Sequence, residues 1–164
     1  MTVKHHAGSY TVRPARSEDL LPVLRVLAHY DAGSPLPAAA SEVEEQTWER
    51  MMATDDLTVY VAEVDGQLIG TATLLTMPNL TYDCAPTAFV EAVVVTAGHR
   101  QKGIATAMMR RILGDARAVG CDKVQVLSHK RHATDGAHRL YAALGFEPEA
   151  EGFRLYLKRD AEAV

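Results

Sequence analysis

Apolar positions change period along the chain, and the changes mark out its elements. Leu20, Val23, Leu24 and Leu27 recur at helical spacing behind Ser17-Glu18-Asp19, a capping hydroxyl followed by two acids, and predict a first helix reaching about Tyr30. Asp31 to Pro37, with Gly33, Pro35 and Pro37, reads as a loop. Ser41-x-x-Glu44 is a capping box that opens a second helix ending near Ala53. From Leu57 the period shortens. Residues 57–64 and 67–77 read as two strands joined by Asp65-Gly66, a pair suited to a type I′ turn. Phe89 to Val95 is an apolar, β-branched run broken only by Glu91, the pattern of a strand buried on both faces. Helical spacing returns at Ile104, Ala107, Met108, Ile112 and Ala116, which predicts a helix from Gly103 to about Val119 with Gly120 as its cap.

Three further pieces complete the order. Tyr10 to Arg13 reads as a short edge strand ended by Pro14, and Lys123 to Ser128 as another strand. After a loop with His129, Lys130, Arg131 and His132 come a helix from about Asp135 to Leu144, capped by Gly145, and a last pair of strands around Phe146 and over 153–158. The predicted order is β-α-α-β-β-β-α-β-α-β-β, which in a chain without repeats implies one mixed α/β sheet. Residues 1–9 are expected to be loosely ordered and 10–160 to form a single domain.

Composition narrows the function classes. The chain has 164 residues, of which 48% are hydrophobic and 23% charged, with net charge −4, as in a globular protein of one domain. Two cysteines, Cys84 and Cys121, without metal-ligand spacing to a histidine pair, make a disulfide framework or a metal site unexpected and fit a reducing cytoplasm. Neither a signal peptide nor a membrane-length apolar run is evident, and no basic stripe suits nucleic acid. The acids Glu42, Glu44, Glu45 and Glu49 of the second helix form a solvated face or attract a cationic amine.

Against that acidic background one basic loop stands out. His99, Arg100 and Lys102 lie between the buried strand and the helix that opens after Gly103. The first turn of a helix leaves N–H groups unpaired and carries roughly +0.5 of an elementary charge, so a strand, a basic loop and a helix N-terminus make an anion site. Gly103 permits close backbone approach and Ala105 keeps the next turn small. Neither a P-loop motif nor an early G-x-G-x-x-G is present.

A second segment gives the loop a context. Val93-Val94-Val95 leads into Arg100-x-x-Gly103-x-Ala105, and later comes Ala137-x-x-Leu140-Tyr141-x-x-x-Gly145-Phe146. Together they resemble the two signature segments of the GNAT superfamily of acetyl-CoA-dependent N-acetyltransferases, and the likeness in element order runs from about Tyr10 to Lys158. The resemblance implies a mixed, mostly antiparallel sheet of about six or seven strands with roughly four helices. It also implies a bulged central strand that splays from its neighbour to admit the pantetheine arm of acetyl-CoA. That arm is expected to pair with backbone groups of Val93 and Val95, and the pyrophosphate to sit on the amides of Gln101, Lys102, Gly103, Ile104, Ala105 and Thr106, with Arg100 adding attraction. The thioester then lies near Tyr141. Many relatives carry asparagine after the fifth strand, where this chain has Ser128-His129.

The chemistry so implied asks for particular residues. A primary amine must lose a proton before it attacks a thioester, and the oxyanion that develops needs an N–H donor, which the strand near Val94 supplies. The departing thiolate must be protonated, and a phenol titrating near pH ~10 can do this, so Tyr141 is the candidate acid, with packing as its alternative role. Glu91 is the candidate base, because a carboxylate inside an apolar run demands a reason; pairing with a core arginine or hydroxyl is the alternative. His129 and His132 are further candidates, since imidazole titrates in the useful range. The expected protein is a metal-free, cytoplasmic N-acetyltransferase acting on a small-molecule amine by direct attack in a ternary complex, and a possible homodimer. The alternatives are a non-catalytic acyl-CoA sensor and a peptide or protein N-acetyltransferase. The acceptor would be set by the first two helices, Pro35 to Pro37 and Leu80 to Thr87.

Overall fold

The structure, a computed structural model, describes residues 2–4, 9–30, 33–130 and 136–157. The chain groups into two compact units, 1–126 and 127–164. In the first, six strands make one sheet in chain order: β1 (Thr2–Lys4), β2 (Ser9–Pro14), β3 (Leu57–Val64), β4 (Gln67–Met77), β5 (Thr87–Val95) and β6 (Lys123–Val126). Neighbours are antiparallel except β5 and β6, which run parallel.

Alternation along the strands sends apolar side chains to both faces, and helices cover each. On one face Val23 and Val26 of α1 (Leu20–Leu27) and Trp48 of α2 (Glu42–Met52) pack with Val59, Val61, Leu68 and Val94. On the other, Ile104 and Met108 of α3 (Ile104–Val119) pack with Tyr10, Val12, Ala62 and Ile69. The Tyr60 hydroxyl donates to Asp115 Oδ2 at 2.6 Å and Arg111 Nε to the same oxygen at 2.7 Å, which fastens α3 across β3. No helix among the described residues is long and apolar enough to cross a membrane.

Local rules place several elements where the sequence predicts them. β3 and β4 have the predicted bounds, and Asp65 and Gly66 both take positive φ, 48° and 78°, as a type I′ turn requires. At α2, Glu44 N–H donates to Ser41 Oγ at 3.3 Å while Ser41 N–H donates to the Glu44 carboxylate at 2.7 Å.

Other expectations need correction. Ser17 does not cap α1: residues Ser17–Asp19 form a short 3₁₀ turn, and Asp19 Oδ2 accepts the Arg16 N–H at 2.7 Å. Residues 2–4, for which the sequence carries no element, pair with β2, so β2 is not the sheet edge. β5 is not buried on both faces, because Glu91 and Ala92 are exposed. The last pair of strands does not form among the described residues 146–157; alternation of Phe153, Leu155 and Leu157 supplies the period of a strand but no ladder partner. In the second unit α4 (Ala137–Ala143) has Leu144 at its C-cap and Gly145 just past it, at φ 86°, and Phe146 N–H returns to the Tyr141 carbonyl at 3.0 Å. Its predicted start at Asp135 and the end of the last strand at Lys158 lie outside the described residues.

One ion cluster ties the turn before α1 to the sheet. The Arg13 guanidinium meets Asp19 Oδ2 at 2.6 Å and Glu63 Oε2 at 2.8 Å. Burial alone would raise the Asp19 carboxyl, but the hydrogen bonds from Arg13 and the Arg16 N–H, with both arginine charges, outweigh it and hold it below the ordinary carboxylate range. A group depressed in the folded state stabilises above its unfolded pKa and loses that contribution as pH falls through the folded value. Urea titrations at pH 7 and pH 3 should therefore show stability dropping below about pH 4. Asp19→Asn should cost about 2 kcal/mol at pH 7 and flatten the acid dependence.

Candidate functional site

The side-chain alternation of β5 slips once against β4. Thr73 of β4 pairs with Glu91 and Thr71 with Val94, so β5 holds one residue more than β4 between these pairs. The extra residue is Ala92, at φ 52°, and the result is a β-bulge. Glu91 thus lies on the sheet face that α1 and α2 share, and after the slip Val94 buries on that same face. Pairing with β6 stops at Val90 opposite Val126, where β6 ends. Beyond Val90, among the described residues of the first unit, no strand lies along that edge of β5.

The loop after β5 is held by its own cations. Thr96 N–H donates to the Ile69 carbonyl at 2.9 Å, and Thr96 Oγ1 lies 3.0 Å from His99 Nδ1. Arg100 spans two carbonyls, Val95 O at 3.2 Å from Nε and His29 O at 2.8 Å from Nη2, while Lys102 Nζ donates to Gly98 O at 2.9 Å. Gln101 and Gly103 take left-handed φ, 61° and 79°, so the chain turns sharply into α3. No side chain caps that helix. Among the described residues, none of the N–H groups from Gln101 to Thr106 has an acceptor, and the Ala107 N–H, on Gly103 O at 3.0 Å, is the first that does. Tyr10 supports the turn from beneath, its hydroxyl 3.5 Å from Gly103 O; burial raises its phenol and the nearby Arg110 charge partly opposes this.

A run of unpartnered donors at the positive end of a helix, beside two cations, suits a diphosphate. The cations differ from expectation in one respect: both are bonded to backbone carbonyls, so they shape the cradle as well as charging it. Val93 and Val95 are half-buried along the strand and Val94 is buried. Glu91 is exposed and makes no hydrogen bond or ion pair among the described residues, which sets aside a core arginine or hydroxyl as its partner. Tyr141 belongs to the second unit, half-buried on α4, its ring edge-on to Phe146 with centroids 5.7 Å apart. His129 is exposed in that unit, and His132 lies outside the described residues. On α2, Glu44 serves the cap and Glu42 accepts from Gln46 at 3.1 Å, while Glu45 and Glu49 are exposed beside a depression over Leu20, Trp48 and Met52. That depression overlies the α1–α2 contact and not the β5–α3 junction.

Sequence reasoning did not foresee Ala92 as the bulge, or the His29 carbonyl as an anchor for Arg100. Ala92 has no local signal, since alanine is an ordinary strand residue apart from its φ. The His29 contact joins residues that only the fold brings together.

Known proteins resemble this chain in sequence and in fold. The model of the acetyltransferase (GNAT) family matches residues 24–146. Glucosamine 6-phosphate N-acetyltransferase of Trypanosoma brucei brucei is 26% identical over 146 residues, which cover 89% of this chain and 95% of that protein. A protein of Agrobacterium tumefaciens str. C58 assigned to the acetyltransferases is 29% identical at TM-score 0.81, covering 89% of this chain and 99% of its own. The aminoglycoside N-acetyltransferase AAC(6')-Iy, solved in complex with CoA, has the same fold at TM-score 0.73 and 21% identity, covering 96% of this chain and 99% of its own.

The loop geometry is testable at Gly103. A Cβ there would have the Tyr10 hydroxyl as its nearest neighbour, at 4.0 Å, so the cost of Gly103→Val is backbone strain of roughly 1–2 kcal/mol without a clash. Denaturation should show that loss, and calorimetric affinity for CoA should fall by at least about tenfold, equivalent to ~1.4 kcal/mol of binding. Unchanged affinity would take the loop out of ligand binding.

Proposed function

The chain belongs to the acetyltransferase (GNAT) family and is an acyltransferase, and on that premise we propose that it moves an acetyl group from acetyl-CoA to the primary amine of a small molecule, by direct attack in a ternary complex. The observation that carries the reading is the run of unpartnered amides from Gln101 to Thr106, directly after a bulged strand with an open edge. Two relatives named for small amines, glucosamine 6-phosphate and aminoglycosides, support the acceptor class.

Acetyl-CoA as substrate supplies the activated thioester. The amides of Gln101 to Thr106 hold its diphosphate, in the field of Arg100 and Lys102. Backbone groups of Val93 and Val95, on the edge left open past Val90, hold the arm, and an N–H near Val94 takes the oxyanion that develops. Glu91, exposed and unpartnered, accepts the ammonium proton, which leaves the lone pair free to form the N–C bond. As the C–S bond breaks, Tyr141 gives a proton to the sulfur, and the second proton that the nitrogen sheds as the amide forms restores the phenol.

Thiol release with a panel of amines tests the proposal, and ligand binding without release would instead identify an acyl-CoA-binding module. Tyr141→Phe should lower turnover by about 10²–10³ and leave acetyl-CoA affinity nearly intact. An unchanged rate would remove Tyr141 from the mechanism.

A further inference from the structure

α1 and α2 cover only part of their sheet face. Toward the β4–β5 connection the same face continues without them, and its composition is unusual for exposed sheet. Cross-strand partners share a face, so Thr73 lies with Glu91, Leu75 with Phe89 and Met77 with Thr87, and the parallel register adds Gln125 beside Phe89 and Lys123 beside Thr87. On the opposite face the intervening residues Leu74 and Val90 are 4% and 1% exposed, whereas here Leu75 is 39% exposed and Met77 43%. Glu91 sits one cross-strand step from this apolar strip, next to the bulge.

The connection beyond the strip is built with strain. Tyr82, Asp83 and Cys84 take successive left-handed φ of 53°, 55° and 63°, which costs roughly 1–2 kcal/mol for each such residue. Asn79 anchors the turn, donating to Thr87 Oγ1 at 3.1 Å and accepting the Thr81 N–H at 3.0 Å. The turn sets Tyr82 against Lys123, whose Nζ lies 3.1 Å from the Tyr82 hydroxyl and 4.2 Å from the ring centroid. Lys123 is the one cation that β4, β5 and β6 contribute to this face, and it is already engaged.

From this we infer that the acceptor is a primary amine with an apolar, alkyl or arylalkyl body, and not a sugar phosphate or a polyhydroxylated amine. The inference rests on the acetyl-transfer reading above, because Glu91 beside the bulge is what orients the amine toward the thioester. The charge of Glu91 complements an ammonium group, Leu75, Met77 and Phe89 offer contact to carbon, and among the described residues β4, β5 and β6 bring no unengaged cation for a phosphate. A hydroxylated acceptor would lose water from its hydroxyls against carbon without regaining hydrogen bonds.

Thiol release from acetyl-CoA by the full chain, with n-alkylamines from ethyl to hexyl, 2-phenylethylamine, glucosamine 6-phosphate and neamine as acceptors, tests it. kcat/KM should rise about threefold to fourfold per added methylene, and 2-phenylethylamine should exceed glucosamine 6-phosphate by at least about tenfold. Leu75→Ser, and independently Met77→Ser, should flatten the chain-length dependence, whereas Val43→Ser, an exposed site on α2, should keep it. Better turnover of glucosamine 6-phosphate or neamine overturns the inference while leaving acetyl transfer standing. Failure of acetyl-CoA to raise the melting temperature overturns both. If Leu75→Ser instead dissociates a dimer on size exclusion, a second copy covers the strip and the inference falls.

Discussion

One inserted residue in β5 controls which of that strand's side chains meet which layer. Side chains alternate with period two, so Ala92 reverses the phase of β5 for everything that follows it. Before the bulge, odd-numbered residues face α1 and α2; after it, even-numbered ones do. Hence Glu91 and Val94, three positions apart, share a face, one open to solvent and the other sealed against Val23, Val26 and Trp48. Without the bulge Val94 would point toward α3 and the core beneath α1 would lack it. The left-handed strain at Ala92 is thus offset by apolar burial at one end of the strand, while at the other a carboxylate stays in water.

The loop that follows obeys a second constraint. Backbone donors serve a ligand only if the fold does not use them first, and a tight turn into a helix ordinarily finds its donors a side-chain cap. Here the cap position is Gly103, which has no side chain, and the turn is held from the carbonyl side by Arg100 and Lys102. Stabilising the turn through its acceptors leaves its donors free. That division explains why the basic residues sit in the loop even though their heads are bonded within the protein.

Legibility from sequence followed the range of the forces involved. The Ser41–Glu44 box and the Asp65-Gly66 turn are settled within four residues, and both read correctly. The strand–loop–helix junction was legible because its features are contiguous from Phe89 to Arg111. What did not read were the effects of distant partners. Ser17 looks like the cap of α1, yet it opens a 3₁₀ turn instead, and Asp19, at the N-cap position, turns its carboxylate back to the Arg16 N–H and to Arg13, which Glu63 of β3 also holds. The run 153–157 has strand alternation and no strand, since period is a local property and pairing is not. Glu91 looked anomalous in an apolar run because nothing nearby announces that Ala92 breaks the phase.

The same reasoning separates what this family shares from what this chain owns. A diphosphate is met by backbone amides, which every residue carries, so its cradle depends on turn geometry and tolerates wide change in side chains. An acceptor body on the uncovered half of the sheet face would be met by side chains, at positions free to change without disturbing the core on the far side. Leu75 and Phe89 alternate with Leu74 and Val90 along the same strands, and only the latter pair is fixed by packing. The family therefore remains recognisable at 26% identity, whereas a face whose side chains no core holds in place would let the choice of amine diverge between relatives.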